Sequence, residues 1–222
     1  LKSFFVITCL AIAGQALPIN AQEISGSGSI KVTPFEIKGL VVGSLHKIDK
    51  EFEKTYNIKV PQAFSFIAPR NKQQRVFIKE NPGGDAPIQL FFTTQDRRLQ
   101  SSIQFVPFTV DMAELNARMK GVEGLVKQAF MSADMVNDTD RVNVFQVAKV
   151  GKYSALELIG NYQDPKEGLV VRQVVAVLNP DSVNGEVMIV DALTRNVKMT
   201  KAEDIRITSA SRAVGTFKFL AE

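Results

Sequence analysis

Tryptophan is absent from the 222-residue chain, and histidine and cysteine occur once each. One imidazole and one thiol exclude most metal centres and nucleophile-base pairs, which need several such groups brought together. The lone His46 lies in the polar run Ser44 to Lys50, which reads as a solvent-facing stretch of helix rather than a ligand. No Gly-x-Ser-x-Gly elbow is present, so Ser-His-Asp hydrolysis has no starting point. Compositional bias is missing as well. A chain 45% hydrophobic and 23% charged, with fourteen Gly and nine Pro, is neither collagen-like, disulfide-framed nor wholly disordered. Its net charge of +4 is mild for this length and favours solubility, so nucleic acid is not an expected partner.

Phe4 to Ala13 is apolar but short, spanning about 15 Å as a helix, roughly half a bilayer's hydrocarbon core. With Lys2 before it, Pro18 after it and small Ala21 at its end, residues 1–21 read as a secretory signal peptide rather than a stable transmembrane anchor. Cleavage there removes Cys9 and leaves roughly 200 residues, enough to bury a core without disulfides. The expected location is outside the cytoplasm: periplasmic in a Gram-negative host, otherwise secreted. Residues 22–29, with Ser25-Gly26-Ser27-Gly28-Ser29, read as a flexible tether, and residues 30–222 as a single domain.

Within that domain, Phe35 to Val42 has a strand pattern, and Leu45, Ile48, Phe52 and Tyr56 recur at helical spacing behind Ser44. Short β-branched and aromatic segments follow at Asn57–Val60, Ala63–Ala68, Arg75–Lys79, Ile88–Thr93 and Ser102–Thr109. Their turn-rich separators predict sequential antiparallel strands. Asp111 and Glu114 have capping-box spacing ahead of the apolar stripe Met112, Leu115, Met119, Val122, Val126 and Phe130, which predicts a helix over 111–131 with Arg118 off the stripe. A second strand run covers Val142 to Val147, Tyr153–Tyr162, Leu169–Leu178 and Glu186–Asp191. Leu169–Leu178 is apolar on both alternating sets except at Arg172 and Gln173, so both faces of that strand must be covered. Thr200 to Glu203 again has capping-box spacing, before a helix expected over Asp204–Ala213. Gly215 ends it, and Thr216 to Phe219 forms an apolar tail for docking on the core. The expected class is α+β, an antiparallel β-sheet flanked by helices in an α/β/α sandwich.

Tyr56-Asn57-Ile58-Lys59-Val60-Pro61, the long helix between two strand sets, Gly151 to Tyr162 before a long apolar strand, and the Ser-rich helix at Thr208 to Ser211 together resemble the PsbP-like α/β/α sandwich family. Its members include extrinsic photosystem II proteins, Ran-binding nuclear factors and small exported bacterial proteins. The resemblance covers roughly Tyr56 to Phe219 and implies an interaction or assembly role without catalysis.

Other chemistry has bland explanations. Asp134, Asp138 and Asp140 offer calcium ligands but lack loop-motif spacing, and capping of a turn explains them equally well. Arg70, Lys72, Arg75 and Lys79 form the most basic stretch, with Arg97 and Arg98 in a neighbouring turn and Phe77, Phe91 and Phe92 nearby in sequence. Of these, Arg70, Lys72, Arg75, Arg97 and Arg98 are the candidate interaction surface, for an anionic surface or acidic partner, although simple strand alternation produces the same pattern. No cofactor, metal or catalytic residue is expected. The expected function is that of an exported, non-catalytic binding or assembly protein with a protein or envelope partner. The alternative is a small-molecule or lipid carrier with an apolar pocket between the sheet and helix 111–131.

Overall fold

The computed structural model describes residues 34–39, 41–80, 86–131 and 141–221. The expected signal peptide, the tether, Asp134, Asp138 and Asp140 lie outside the described residues. One unit spans Pro34–Glu222. In chain order its elements are β1 (Phe35–Ile37), β2 (Gly43–Ile48), α1 (Lys50–Tyr56), β3 (Phe64–Pro69), β4 (Gln74–Glu80), β5 (Ile88–Thr94), β6 (Leu99–Thr109) and α2 (Leu115–Met131). Then follow β7 (Arg141–Val150), β8 (Tyr153–Asp164), β9 (Gly168–Leu178), β10 (Asn184–Leu193), a 3-10 turn (Ala202–Ile207), α3 (Ser209–Val214) and β11 (Lys218–Phe219).

Eight strands form one sheet in the order β1-β7-β8-β9-β10-β6-β5-β4, and β11-β3-β2 form a smaller one. Among the described residues all pairings are antiparallel except β1 with β7. Leu169–Leu178 behaves as expected, because alternate residues of β9 enter two separate cores. Val174, Ala176 and Leu178 pack with Val122, Val126 and Phe130 of α2. Val171, Val175 and Val177 pack on the opposite side, in a core that includes Phe64 and Phe66 of the small sheet, Val214 of α3 and Phe217 of the docked tail. Phe105 stacks on both Phe64 and Phe66, with ring centroids 5.3 and 4.6 Å apart. The α+β sandwich is thus built, with the second layer made of a small sheet as well as helix.

Several boundaries differ from expectation for identifiable reasons. Leu45 to Tyr56 is a strand followed by a helix. Along β2, Leu45 and Lys47 point outward while Ile48 is buried, which is alternation rather than a helical stripe. Helix α1 starts behind Asp49, not Ser44, because the Asp49 carboxylate accepts from the amides of Glu51 and Phe52 at 3.1 and 3.2 Å. Among the described residues of the first expected strand, Phe35–Ile37 pair as a strand. Asn57–Val60 is not a strand: Asn57 is left-handed (φ 54°) and ends α1, and the Val60 amide is held by the Glu53 carboxylate at 2.6 Å.

Helix α2 begins at Leu115, one turn later than Asp111 predicts, and Met112 and Leu115 are exposed. Arg118 is not off the buried stripe but on it. Its guanidinium donates to the carbonyls of Asn179 and Ser182 at 3.0 and 2.7 Å, fastening α2 to the β9–β10 turn. The terminal helix is split. Asp204, rather than Glu203, accepts from the Thr200 and Lys201 amides at the head of the 3-10 turn, and Thr208 caps α3. Gly39 and Gly215 cross so closely that a Cβ on Gly215 would lie 2.3 Å from the Gly39 nitrogen, so neither position has room for a side chain.

Beneath α2, Val122, Val126 and Phe130 pack with Leu156, Leu158, Val174, Ala176 and Leu178 of the large sheet. Gly124 faces open space and Gly121 faces Val110. A cleft of about 210 Å³ lies at the head of α2, lined in part by Met112, Leu115, Arg118 and Tyr153.

Candidate functional site

The antiparallel pairing of β4 with β5 sets Gln74 opposite Thr94 and Arg75 opposite Thr93. The β3–β4 turn and the β5–β6 turn therefore share one end of the large sheet. Gln95 fastens them: its amide donates to the Lys72 carbonyl at 2.9 Å, and its carbonyl oxygen accepts from Arg75 Nε at 3.0 Å. Arg70, Lys72, Arg75, Arg97 and Arg98 are thereby brought to a single end of the fold, all exposed.

Local geometry fixes two of these cations. Arg97 is left-handed (φ 64°), an uncommon state for a residue with a side chain. It is held by the Thr94–Arg98 turn, where each end hydrogen-bonds the other: the Thr94 amide to the Arg98 carbonyl at 2.9 Å and the Arg98 amide to the Thr94 hydroxyl at 3.0 Å. Arg98 Nε contacts Asp96 at 2.8 Å. The Thr94 hydroxyl first, and then the Arg98 guanidinium, hold the Asp96 carboxyl below the usual carboxylate range. Both partners of this pair are exposed, so it adds little stability, and Asp96 offsets one of the five cations.

Beside this basic end opens a cleft of about 290 Å³ between β2 and β4, lined by Ser44, His46, Arg70, Asn71, Val76 and Ile78 among others. His46 is therefore a half-buried strand residue, not a solvent-facing helical one. Its ring stacks on Phe66 at 5.4 Å, and burial pushes its pKa below the ordinary value of 6.5, so the imidazole is neutral at pH 7. The cation in the cleft is Arg70. Phe91 is half-buried and Phe92 fully buried, as alternation requires. Phe77, however, is 43% exposed and shares the outward face of β4 with Arg75.

The sequence reading missed the buried charged groups. Glu157, fully buried on β8, accepts from Gln146, Gln173 and Arg206. Arg172 on β9 pairs with Asp191 opposite it on β10. Strand periodicity places these residues on a face, but the neighbour that compensates them comes from another element and leaves no mark in their own segment.

Glu186 is different. It lies between Pro107 of β6 and Val177 of β9, is 1% exposed, and its Oε1 has no hydrogen-bond partner among the described residues. Burial raises its pKa well above the ordinary value of 4.5. The folded chain thus holds this proton more tightly than the unfolded one. Its contribution to stability is complete below the unfolded pKa and drains away as pH rises toward the folded pKa. Glu186→Gln is therefore expected to flatten the fall in stability as pH rises above the ordinary carboxylate range, measured as urea midpoints. An unchanged slope would show that this carboxyl does not control it.

Among the described residues, no three His, Cys, Asp or Glu side chains are grouped so as to hold a metal, and no helix is long and apolar enough to cross a membrane. No protein-family model matches the sequence, and no curated protein matches it. The architecture is similar to the solution structure of cyanobacterial PsbP (CyanoP) from Synechocystis sp. PCC 6803. That likeness has a TM-score of 0.50 over 82% of this chain and 96% of that chain, at 8% identity. The chain has a PsbP-like fold. Two further solved structures match at lower TM-scores. A protein from Bacteroides thetaiotaomicron VPI-5482 gives 0.42 over 72% of this chain at 12% identity, and the chain spans only 46% of that protein's length. The Ran-binding protein Mog1p from Saccharomyces cerevisiae gives 0.40 over 80% of this chain and 96% of that chain, also at 12% identity. At such identities the PsbP-like likeness concerns the fold and leaves the function to the surface described above.

Proposed function

We propose that this chain is a non-catalytic binding or assembly protein that docks an acidic surface of a protein partner on the basic end of its large sheet. The observation that carries this reading is the convergence of Arg70, Lys72, Arg75, Arg97 and Arg98, contributed by two turns that Gln95 ties together. Clustered cations on a rigid sheet end steer an acidic partner and fix its orientation, whereas scattered ones do neither. The absence of a recognisable catalytic constellation in the sequence is consistent with the same reading. An extracytoplasmic location, with the partner in the envelope, is part of the proposal and rests on residues 1–21 alone. Cell fractionation tests it directly.

The functional test is capture of partners from native envelope extracts by the wild type and by an Arg75→Glu/Arg97→Glu/Arg98→Glu variant of matched stability. The same protein should be recovered with the wild type and should bind the variant weaker by at least about tenfold. Equal recovery on both would overturn the assignment of the surface. Turnover of a common ester, peptide, glycoside or phosphate substrate would overturn the non-catalytic reading.

A further inference from the structure

Arg118 of α2 is 4% exposed, yet among the described residues it is paired with no carboxylate. Its two Nη groups are spent on the Asn179 and Ser182 carbonyls, and its Nε has no acceptor. Neutral carbonyls satisfy donors but leave the charge itself uncompensated, which is costly for a cation held away from water. Arg172, the other buried arginine among the described residues, has Asp191 for this purpose.

Arg118 forms part of the wall of the cleft of about 210 Å³ at the head of α2. The same wall holds a second cation, the exposed Lys152, and no acidic residue. Lys152 is also without an ion pair among the described residues, and its ammonium lies 5.4 Å from the Tyr153 ring centre. The N-terminus of the 17-residue α2 adds partial positive charge at this end of the helix. The rest of the wall is mostly apolar: it includes the half-exposed Met112 and Leu115 and the buried Leu178, with the Ser154 hydroxyl among them.

We propose that this cleft is a second binding site, separate from the basic end of the large sheet, for a small monocarboxylic acid with an apolar body. The carboxylate supplies the opposite charge that Arg118 and Lys152 lack, and the apolar body covers Met112 and Leu115. An inorganic anion would leave that apolar surface wet. A second acidic group on the ligand would have to be set against it, so one charge fits better than two. Volume sets the size: about 210 Å³ is the space of about seven waters, below the roughly 300 Å³ at which drug-sized pockets begin, and it suits an acid of about eight non-hydrogen atoms.

The test titrates hexanoate, and its uncharged counterpart hexanamide, into the full chain and follows backbone amides by NMR. Hexanoate should give saturable shifts in residues 112–118, 152–154 and 178–180, and hexanamide should bind at least about tenfold more weakly. Arg118 also fastens α2, so two exposed positions test the site without touching that role. Lys152→Gln should weaken hexanoate by about threefold or more and leave hexanamide unchanged. Leu115→Asp keeps a favourable residue at the helix N-terminus but sets a negative charge at the cleft, and should weaken hexanoate at least about tenfold. Acetyl-Gly-Gly-Leu presents the same chemistry from a chain end, and its binding more tightly than hexanoate would overturn a free acid as the occupant. The site itself would be overturned by the absence of saturable shifts, by equal affinity for acid and amide, by shifts centred on residues 70–75 and 97–98, or by unchanged affinity in both variants. Capture of the protein partner by the basic turns does not involve this cleft, so either reading can fail without the other.

Discussion

Arg172→Leu should lower the unfolding free energy by about 3–5 kcal/mol, because it strands a carboxylate in a nearly dry layer. The Arg172 and Asp191 side chains, 5% and 16% exposed, meet through two hydrogen bonds of 2.7 and 2.8 Å. A second role adds to the loss. Arg172 Nη1 donates to the carbonyls of Ala129 and Phe130 at 3.3 and 3.2 Å, so the guanidinium closes the C-terminal end of α2. Urea unfolding monitored by circular dichroism measures the loss as a drop in midpoint at constant slope. The Arg172→Leu/Asp191→Leu variant should recover most of it, since an apolar pair of similar volume commonly replaces a buried ion pair without penalty. If the single variant were as stable as the wild type, the pair would not hold this layer.

The second large effect lies on the opposite face. Arg206→Met should also cost about 3 kcal/mol or more, because Glu157 is fully buried and would keep only the Gln146 and Gln173 amides as donors. The Arg206 side chain is 22% exposed and the Glu157 side chain 0%, so the larger part of the loss is the abandoned carboxylate. Urea midpoints at neutral pH measure the loss, and a variant as stable as the wild type would show that Arg206 does not compensate this carboxylate. Arg206 also lies 4.1 Å from the Phe35 ring centre, so the same variant should speed amide exchange in β1.

These two clusters mark where reading the sequence succeeds and where it stops. The doubly apolar pattern of Leu169–Leu178 required cover on both faces, and α2 and the small sheet supply it. The Val122, Val126 and Phe130 stripe placed α2 correctly, because burial of one helix face is written in the spacing of its own residues. Arg118 shows the limit: its buried guanidinium is explained by carbonyls at Asn179 and Ser182, some sixty residues away. Local pattern could not turn it inward. Leu45, Ile48 and Phe52 misled for a related reason, since two short elements joined at Asp49 imitate one helical stripe. The basic residues Arg70 to Arg98 were legible as a cluster in sequence. Their junction through Gln95, and the neighbouring cleft that contains His46, depend on strand pairing and emerge only in the fold.

Under the proposed function, the partner docks on the basic end of the large sheet. Hydrogen exchange on the free protein and on its complex with the captured partner tests this most directly. Protection is expected in residues 70–80 and 94–98, with α2 and the half-exposed Phe145 and Val147 of β7 unchanged. Protection confined to α2 or β7, with the basic turns exchanging as in the free protein, would contradict it.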